Sequence, residues 1–196
     1  MGVWVGLGLN INLNGSNSLA GGRSSKLIAA DSFDRDDNSS VLGLTDTGQP
    51  WISHTGTWGI QSQRAYTPAG TENYATVDVG LTDYKAEISL SVRVNRSGLV
   101  FRFTDSSNWY RFVLSSTTVF MQRRLSGTTT SLSSFSVTPT DGDTMKIIVN
   151  GSQFQGYYNN ELKVTVTDTT FQTPTLVGLE SAGLVCRLDN FKVEVL

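Results

Sequence analysis

Acidic, aromatic and imidazole side chains gather in one stretch of this 196-residue chain, Asp31 to Ile60. It holds Asp31, Asp34, Asp36, Asn38, Trp51, Trp58 and the single histidine, His54. The spacing Asp34-x-Asp36-x-Asn38 imitates the opening of an EF-hand calcium loop, where alternate positions supply oxygen ligands. The imitation ends there: the sixth position is Ser39 where the turn needs Gly, and the twelfth is Thr45 where a bidentate Glu is needed. A serine or cysteine triad would have to use His54, and neither Ser53 nor Cys186 sits in a glycine-flanked nucleophile elbow. Zinc wants several His or Cys, and the chain has one of each. Glycan hydrolysis needs two carboxylates on one face, about 5 Å apart in retaining enzymes. Glu87 lies on the polar face of its strand without a carboxylate partner, and Glu180 and Glu194 stand alone. These residues point away from catalysis.

Sugar recognition asks for different groups. A pyranose presents a CH face that stacks on an exposed aromatic ring and hydroxyls that bond to Asn, Asp, Gln or Arg. Trp51, Trp109, Tyr110, Tyr157 and Tyr158 are the candidate rings, with Asn108, Asn159 and Asn160 beside them. Along the strand from Trp109, residues Tyr110, Phe112 and Leu114 share one face while Trp109, Arg111 and Val113 share the other. If the first set is core, Trp109 and Arg111 point outward. The pair Tyr157-Tyr158 likewise sends one ring out, without saying which. The carbohydrate contacts expected on this basis are Trp109, Arg111, Tyr157, Tyr158 and Asn159. The alternative for any single ring is packing under a loop or at a subunit contact.

The elements that must position these residues are strands. Ser, Thr, Val, Gly, Asn and aromatics are plentiful, which favours all-β structure, and the length suits one domain with a short appendage. Lys and Arg number 15 against 17 Asp and Glu, a net charge of -2, so no general attraction to nucleic acid or anionic membrane is implied. Cys186, in Leu184-Val185-Cys186, reads as a small buried hydrophobe. The N-terminus has no basic region and its apolar run is broken by Asn10 and Asn12, so neither a secretion signal nor membrane insertion is expected. Synthesis in a cytosol is expected.

Residues 1–27 differ in texture from the rest. Val3, Val5, Leu7, Leu9, Ile11 and Leu13 occupy every second position, with Gly and Asn among the residues between. The segment reads either as a flexible leader or as a docking strand that adds to a neighbouring protein's sheet edge. Six alternating aliphatics favour docking. Residues 28–196 then carry the domain. Its first strand falls near Ala29 to Phe33, a long loop holds Trp51, His54 and Trp58, and a succession of short strands follows from Tyr74 onward. The clearest is Ala86 to Val94, with even positions apolar and odd positions polar. Asn150-Gly151 and Asn159-Asn160 mark tight hairpins. Strands at this density predict an antiparallel two-sheet sandwich, and the absence of an internal repeat excludes a propeller or solenoid.

The runs Asp31-Ser32-Phe33-Asp34-Arg35, Thr47-Gly48-Gln49-Pro50-Trp51, Gly56-Thr57-Trp58-Gly59-Ile60, Gly98-Leu99-Val100-Phe101-Arg102-Phe103, Val177-Gly178-Leu179 and Asp189-Asn190-Phe191-Lys192-Val193 resemble a concanavalin A-like (laminin G-like) jelly-roll module of bacteriophage tail and virion surface proteins. The resemblance covers about residues 29–196. It implies a jelly-roll sandwich in which Trp58 and Phe191 are core and the first strand lies beside the last. Many relatives of this fold hold a structural calcium between those strands, which makes Asp31, Asp34 and Asp189 candidate ligands; the alternative is that the aspartates satisfy turn amides. No other cofactor is implied. The resemblance further implies a non-catalytic virion protein, oligomeric in the particle, joined to other virion proteins by its N-terminal segment. Its outward partner would be a host-surface polysaccharide; a purely structural decoration role is the alternative, and a glycan hydrolase with an unrecognised site is a more remote one.

Overall fold

A computed structural model of the chain describes residues 26–68, 70, 72–92, 96–183 and 186–196. The alternating N-terminal residues Val3 to Leu13 lie outside the described residues, so the docking expectation is not addressed there. Among the described residues fifteen strands follow in order. They are β1 (Leu27–Asp31), β2 (Ile52–Thr55), β3 (Gly59–Ile60), β4 (Ala65–Tyr66), β5 (Asn73–Asp78), β6 (Tyr84–Val92), β7 (Ser97–Asp105) and β8 (Asn108–Ser115). Then come β9 (Thr118–Leu125), β10 (Thr128–Ser136), β11 (Asp143–Asn150), β12 (Gln153–Tyr158), β13 (Glu161–Thr167), β14 (Leu176–Ser181) and β15 (Arg187–Glu194).

They form an all-β, antiparallel jelly-roll sandwich of two sheets. One sheet runs β13-β12-β11-β6-β15-β4-β3, with β1 also paired to β15; the other runs β10-β9-β8-β7-β14-β5-β2. The inward positions read from the alternation are the core: Ala86, Ile88 and Leu90 of β6 face Tyr110, Phe112 and Leu114 of β8 across one continuous apolar layer. Trp58 and Phe191 are buried in it, as is the free Cys186. The first strand does lie beside the last, with Ala30 opposite Lys192 and Asp31 opposite Phe191.

The stretch that looked richest in chemistry holds this closure together. The Asp31 carboxylate takes both Arg35 Nη1 and Nη2, at 2.9 and 2.8 Å, the Trp51 Nε1–H at 2.6 Å, and the Phe33 amide at 2.8 Å. Trp51, read as a possible stacking ring, is instead packed between Phe33 and Phe191, with centroids at 5.9 and 4.9 Å. The loop before Trp51 seals the outer edge of β1: Thr47 Oγ1 accepts from Ala30 N, Asp46 accepts from Ser32 N, and Gln49 Nε2 donates to the Ile28 carbonyl. Side chains thereby satisfy the backbone groups that an edge strand otherwise offers to another chain.

Two local features differ from the alternation. Arg102 has a φ of 43° and sits where β7 loses register with β14, so one residue is inserted and the following side chain changes face. Phe101 therefore enters the main core, while Phe103 joins a second apolar group with Tyr74, Val100 and Trp109 on the sheet's other side. The buried Arg102 guanidinium donates to the carbonyls of Phe171, Thr82 and Gly151, tying three connections together. In the β11–β12 hairpin the two turn residues are Gly151 and Ser152, because Asn150 still pairs with Gln153; the turn lies one residue later than Asn150-Gly151. Asn159 and Asn160 do form a tight turn, both with positive φ.

Candidate functional site

Direct cross-strand partners share a sheet face, so the pairing of β9, β8, β7, β14 and β5 decides what surrounds Trp109 and Arg111. Trp109 stands opposite Arg124, and Arg111 opposite Gln122 on one side and Val100 on the other. One row along, Val113, Gly98, Glu180 and Tyr74 are successive partners. All point away from the main core, and together they make a charged layer over the outer face of the seven-stranded sheet. Gly178, beside Glu180 in β14, admits no side chain because a Cβ there would collide with the Ala75 carbonyl.

The deepest group is Glu180, which is fully buried. Its Oε1 accepts from Arg111 Nη1 at 2.6 Å and lies 2.8 Å from Arg96 Nε. Its Oε2 is buried without a hydrogen-bond partner. Nearer the surface, Glu72 Oε1 accepts from Arg96 Nη2 at 2.6 Å and Oε2 from Arg124 Nη1 at 2.9 Å. Arg111 Nη1 is 3.8 Å from Glu72, so it bridges the two carboxylates. Gln122 Oε1 accepts from Arg111 Nε, and both Arg111 and Arg124 lie on the Trp109 ring, 4.6 and 5.7 Å from its centroid. Cation–π contact and packing fix the two guanidiniums from the side.

The result has two tiers. Trp109, Arg111, Tyr74 and Glu180 are buried, while Arg96, Arg124 and Glu72 keep 25%, 24% and 38% of their side chains exposed. A ligand arriving from solvent meets the second set, held in place by the first. Burial pushes the Glu180 carboxyl up from its ordinary 4.5, and the attraction of Arg111 and Arg96 does not cancel it. Burial also resists ionisation of Glu72, but Arg96, Arg124 and Arg111 outweigh it and hold that carboxyl below its ordinary value. The buried Tyr74 hydroxyl is raised by its own burial and then by Glu180 and Glu72, and it lies beside Arg124.

The sequence placed Arg111 on the correct face and Trp109 beside it, but Trp109 is fully buried and offers no open ring. Its Nε1 donates to the Ser106 carbonyl, and its ring is covered by two arginines. Of the tyrosine pair, Tyr158 is buried and its hydroxyl bonds to Asp143, while Tyr157 is the partly exposed ring, with Lys146 Nζ 4.7 Å from its centroid. Asn159 locks its hairpin by bonding the Thr144 amide and Asp143. Tyr157, Tyr158 and Asn159 belong to the eight-stranded sheet, so the structure does not bring them to Trp109 and Arg111. Nor does it gather the three aspartates considered for calcium. Asp31 is taken by Arg35, Trp51 and Phe33; Asp34 accepts from Gln63 Nε2; and Asp189 lies by Ser91, Arg64 and its neighbour Asn190. Among the described residues no three His, Cys, Asp or Glu side chains are grouped to hold a metal. His54 lies on strand β2 rather than in a loop, bonded to Thr76 Oγ1 with its ring 4.4 Å from Phe103, and burial lowers its pKa.

Glu72, Tyr74, Arg96, Arg124 and Glu180 escaped the sequence reading. One signal was present: in β14 the inward Val177 and Leu179 place Glu180 on the outward face, and a carboxylate within an otherwise apolar strand requires a cation. Which cation depends on strand order, which local alternation does not encode.

No family model and no curated protein matches the chain. Solved structures do. A carbohydrate-binding module, CBM66 from Bacillus subtilis, is 17% identical with a TM-score of 0.55, over 74% of this chain and 91% of that one. Domain 4 of AbnA, a GH43 extracellular arabinanase from Geobacillus stearothermophilus solved with arabinotriose, is 15% identical with a TM-score of 0.54, over 87% and 93% of the respective chains. The GH43 protein BlXynB from Bacillus licheniformis is 15% identical with a TM-score of 0.57; it matches 85% of this chain, which spans only 38% of that protein. The likeness is one of fold.

Removing one partner of a buried ion pair costs about 3–5 kcal/mol, so Glu180→Ala is expected to destabilise the sandwich by that order in urea denaturation. A carboxyl whose folded pKa is raised contributes most below its unfolded value, and that contribution declines as pH climbs toward the folded one. The stability difference between the wild type and Glu180→Gln should therefore shift in the variant's favour as pH rises above 4.5. A difference independent of pH contradicts this reading of the burial.

Proposed function

We propose that residues 28–196 are a non-catalytic glycan-binding module, with its binding surface on the outer face of the seven-stranded sheet. The observation that carries the proposal is the two-tier constellation itself: Arg96, Glu72 and Arg124 are held at the surface by the buried Glu180, Arg111 and Trp109. Guanidinium and carboxylate side by side give a sugar's neighbouring hydroxyls a donor and an acceptor in fixed positions, which lowers the ordering cost of binding. A fold shared with a carbohydrate-binding module and with an arabinanase domain solved with arabinotriose supports the same reading. Against catalysis, both carboxylates of the cluster are engaged by guanidiniums, and Glu180 is out of reach of solvent.

The setting in which this module works follows from the resemblance to phage surface modules. In this proposal the chain is an oligomeric component of a virion, attached to other virion proteins through residues 1–27 and turning the sandwich toward host-surface polysaccharide. Weak binding at each copy is then multiplied by the number of copies. A decoration role without glycan binding is favoured by one observation, namely that the charges of the cluster already pair with one another.

Glycan-array and cell-wall pull-down measurements on a multivalent form of the protein separate these readings. Retention by host polysaccharide, reduced at least about tenfold by Glu72→Ala through loss of a charge-assisted hydrogen bond, supports the glycan module. If no glycan is retained, the decoration role stands instead. The attachment proposal is tested separately: a chain beginning at Lys26 should fold yet fail to enter particles, and incorporation at the full-length level would refute a docking role for the N-terminal residues.

A further inference from the structure

The constellation has more donors than acceptors, and this bears on which glycan it takes; the inference rests on the glycan-binding reading above. Among the described residues, three guanidiniums face two carboxylates, leaving one positive charge in excess. Arg96 uses Nε and Nη2, and Arg124 uses Nε and Nη1, toward Glu180, Glu72 and the Gly127 carbonyl. Among the described residues, no carboxylate or carbonyl accepts a hydrogen bond from Arg96 Nη1 or Arg124 Nη2. Both belong to partly exposed side chains flanking Glu72. Beneath them lies the buried Tyr74 hydroxyl, beside Arg124.

From this arrangement we infer that the site recognises a glycan carrying anionic groups, with the anion seated between Arg96 and Arg124. A planar guanidinium presents paired N–H groups that match the two oxygens of a carboxylate or phosphate, and such charge-assisted bonds are stronger than bonds to neutral hydroxyls. Glu72 sits between the two arginines, accepts hydroxyl protons from the adjoining sugar, and keeps the guanidiniums spaced. A neutral polysaccharide would leave both free guanidinium edges without an acceptor matched to their charge. The Trp109 ring, pressed by Arg111 and Arg124, prevents either arginine from swinging away to solvent.

The anion could be a uronic acid carboxylate or the phosphodiester of a teichoic acid, and three probes distinguish them: polygalacturonate, the same polymer after carboxyl reduction, and a glycerol-phosphate teichoic acid. Binding is measured by calorimetry on the full chain, with Arg124→Ala as the variant and its circular dichroism as the control for folding. The inference expects polygalacturonate or teichoic acid to bind with an affinity that falls at high ionic strength. It also expects at least about a tenfold loss on carboxyl reduction of a bound polygalacturonate, or in Arg124→Ala, as removal of a charge-assisted hydrogen bond implies. Binding of teichoic acid alone supports the inference and names phosphate as the anion. Equal binding of the reduced and unreduced polymers, or binding of neutral glycans only, overturns it while leaving the glycan module intact. No binding to any glycan, charged or neutral, overturns both.

Discussion

A carboxylate with no water around it survives only where cations reach it, and Glu180 is such a group. It stands in the middle of the seven-stranded sheet, where the neighbouring strands present Gly98 and Tyr74 directly across from it. Arg111 from β8 and Arg96 from the start of β7 supply the compensating charge. Because Arg96 and Arg111 also reach toward Glu72, and Glu72 holds Arg124, the placement of one buried oxygen propagates to Arg96, Glu72 and Arg124 at the surface of this face. A buried pair of this kind adds little net stability compared with a well-packed apolar alternative. What the pair does in this fold is hold Arg96 and Arg111 in place.

The sandwich supplies the rigidity that such positioning needs. Two pleated sheets closed by an apolar layer leave each outer face as a set of side chains at fixed spacing. The Arg102 bulge matters to this geometry because it turns Phe103 outward to pack with Tyr74, giving the charged layer an apolar neighbour. On the opposite flank, Asp31 joins Arg35, Trp51 and the Phe33 backbone into a lock on the first strand. The residue types that suggested metal chemistry thus serve closure of the fold, and the charged constellation lies on the other sheet.

What was legible in the sequence follows from the range of each signal. Alternation is local, so Ala86, Ile88 and Leu90 were assigned correctly to the core, as were Tyr110, Phe112 and Leu114. The pairing of the first and last strands was legible through the resemblance of the Asp31-Ser32-Phe33 and Asp189-Asn190-Phe191 runs. Strand β2 was hidden because four residues, Ile52 to Thr55, sit at a sheet edge with little burial to mark them. Trp109 was assigned the correct face and the wrong exposure. Facing away from the main core predicts solvent only when nothing lies on top, and two arginines from β8 and β9 do. The cluster brings Glu72 to within hydrogen-bond reach of Arg124, and Arg111 to Glu180, although each pair is far apart in sequence. Only the order of strands in the sheet makes those residues neighbours, and that order is a property of the whole chain.

The most direct measurement is an NMR titration of the protein with polygalacturonate or a glycerol-phosphate teichoic acid, following the arginine Nε–Hε signals and the tyrosine ring signals together. The account predicts that Arg96, Arg111 and Arg124 shift in concert, with Tyr157 on the eight-stranded sheet unmoved. Shifts centred on Tyr157 and Lys146, with the three arginines silent, would contradict it.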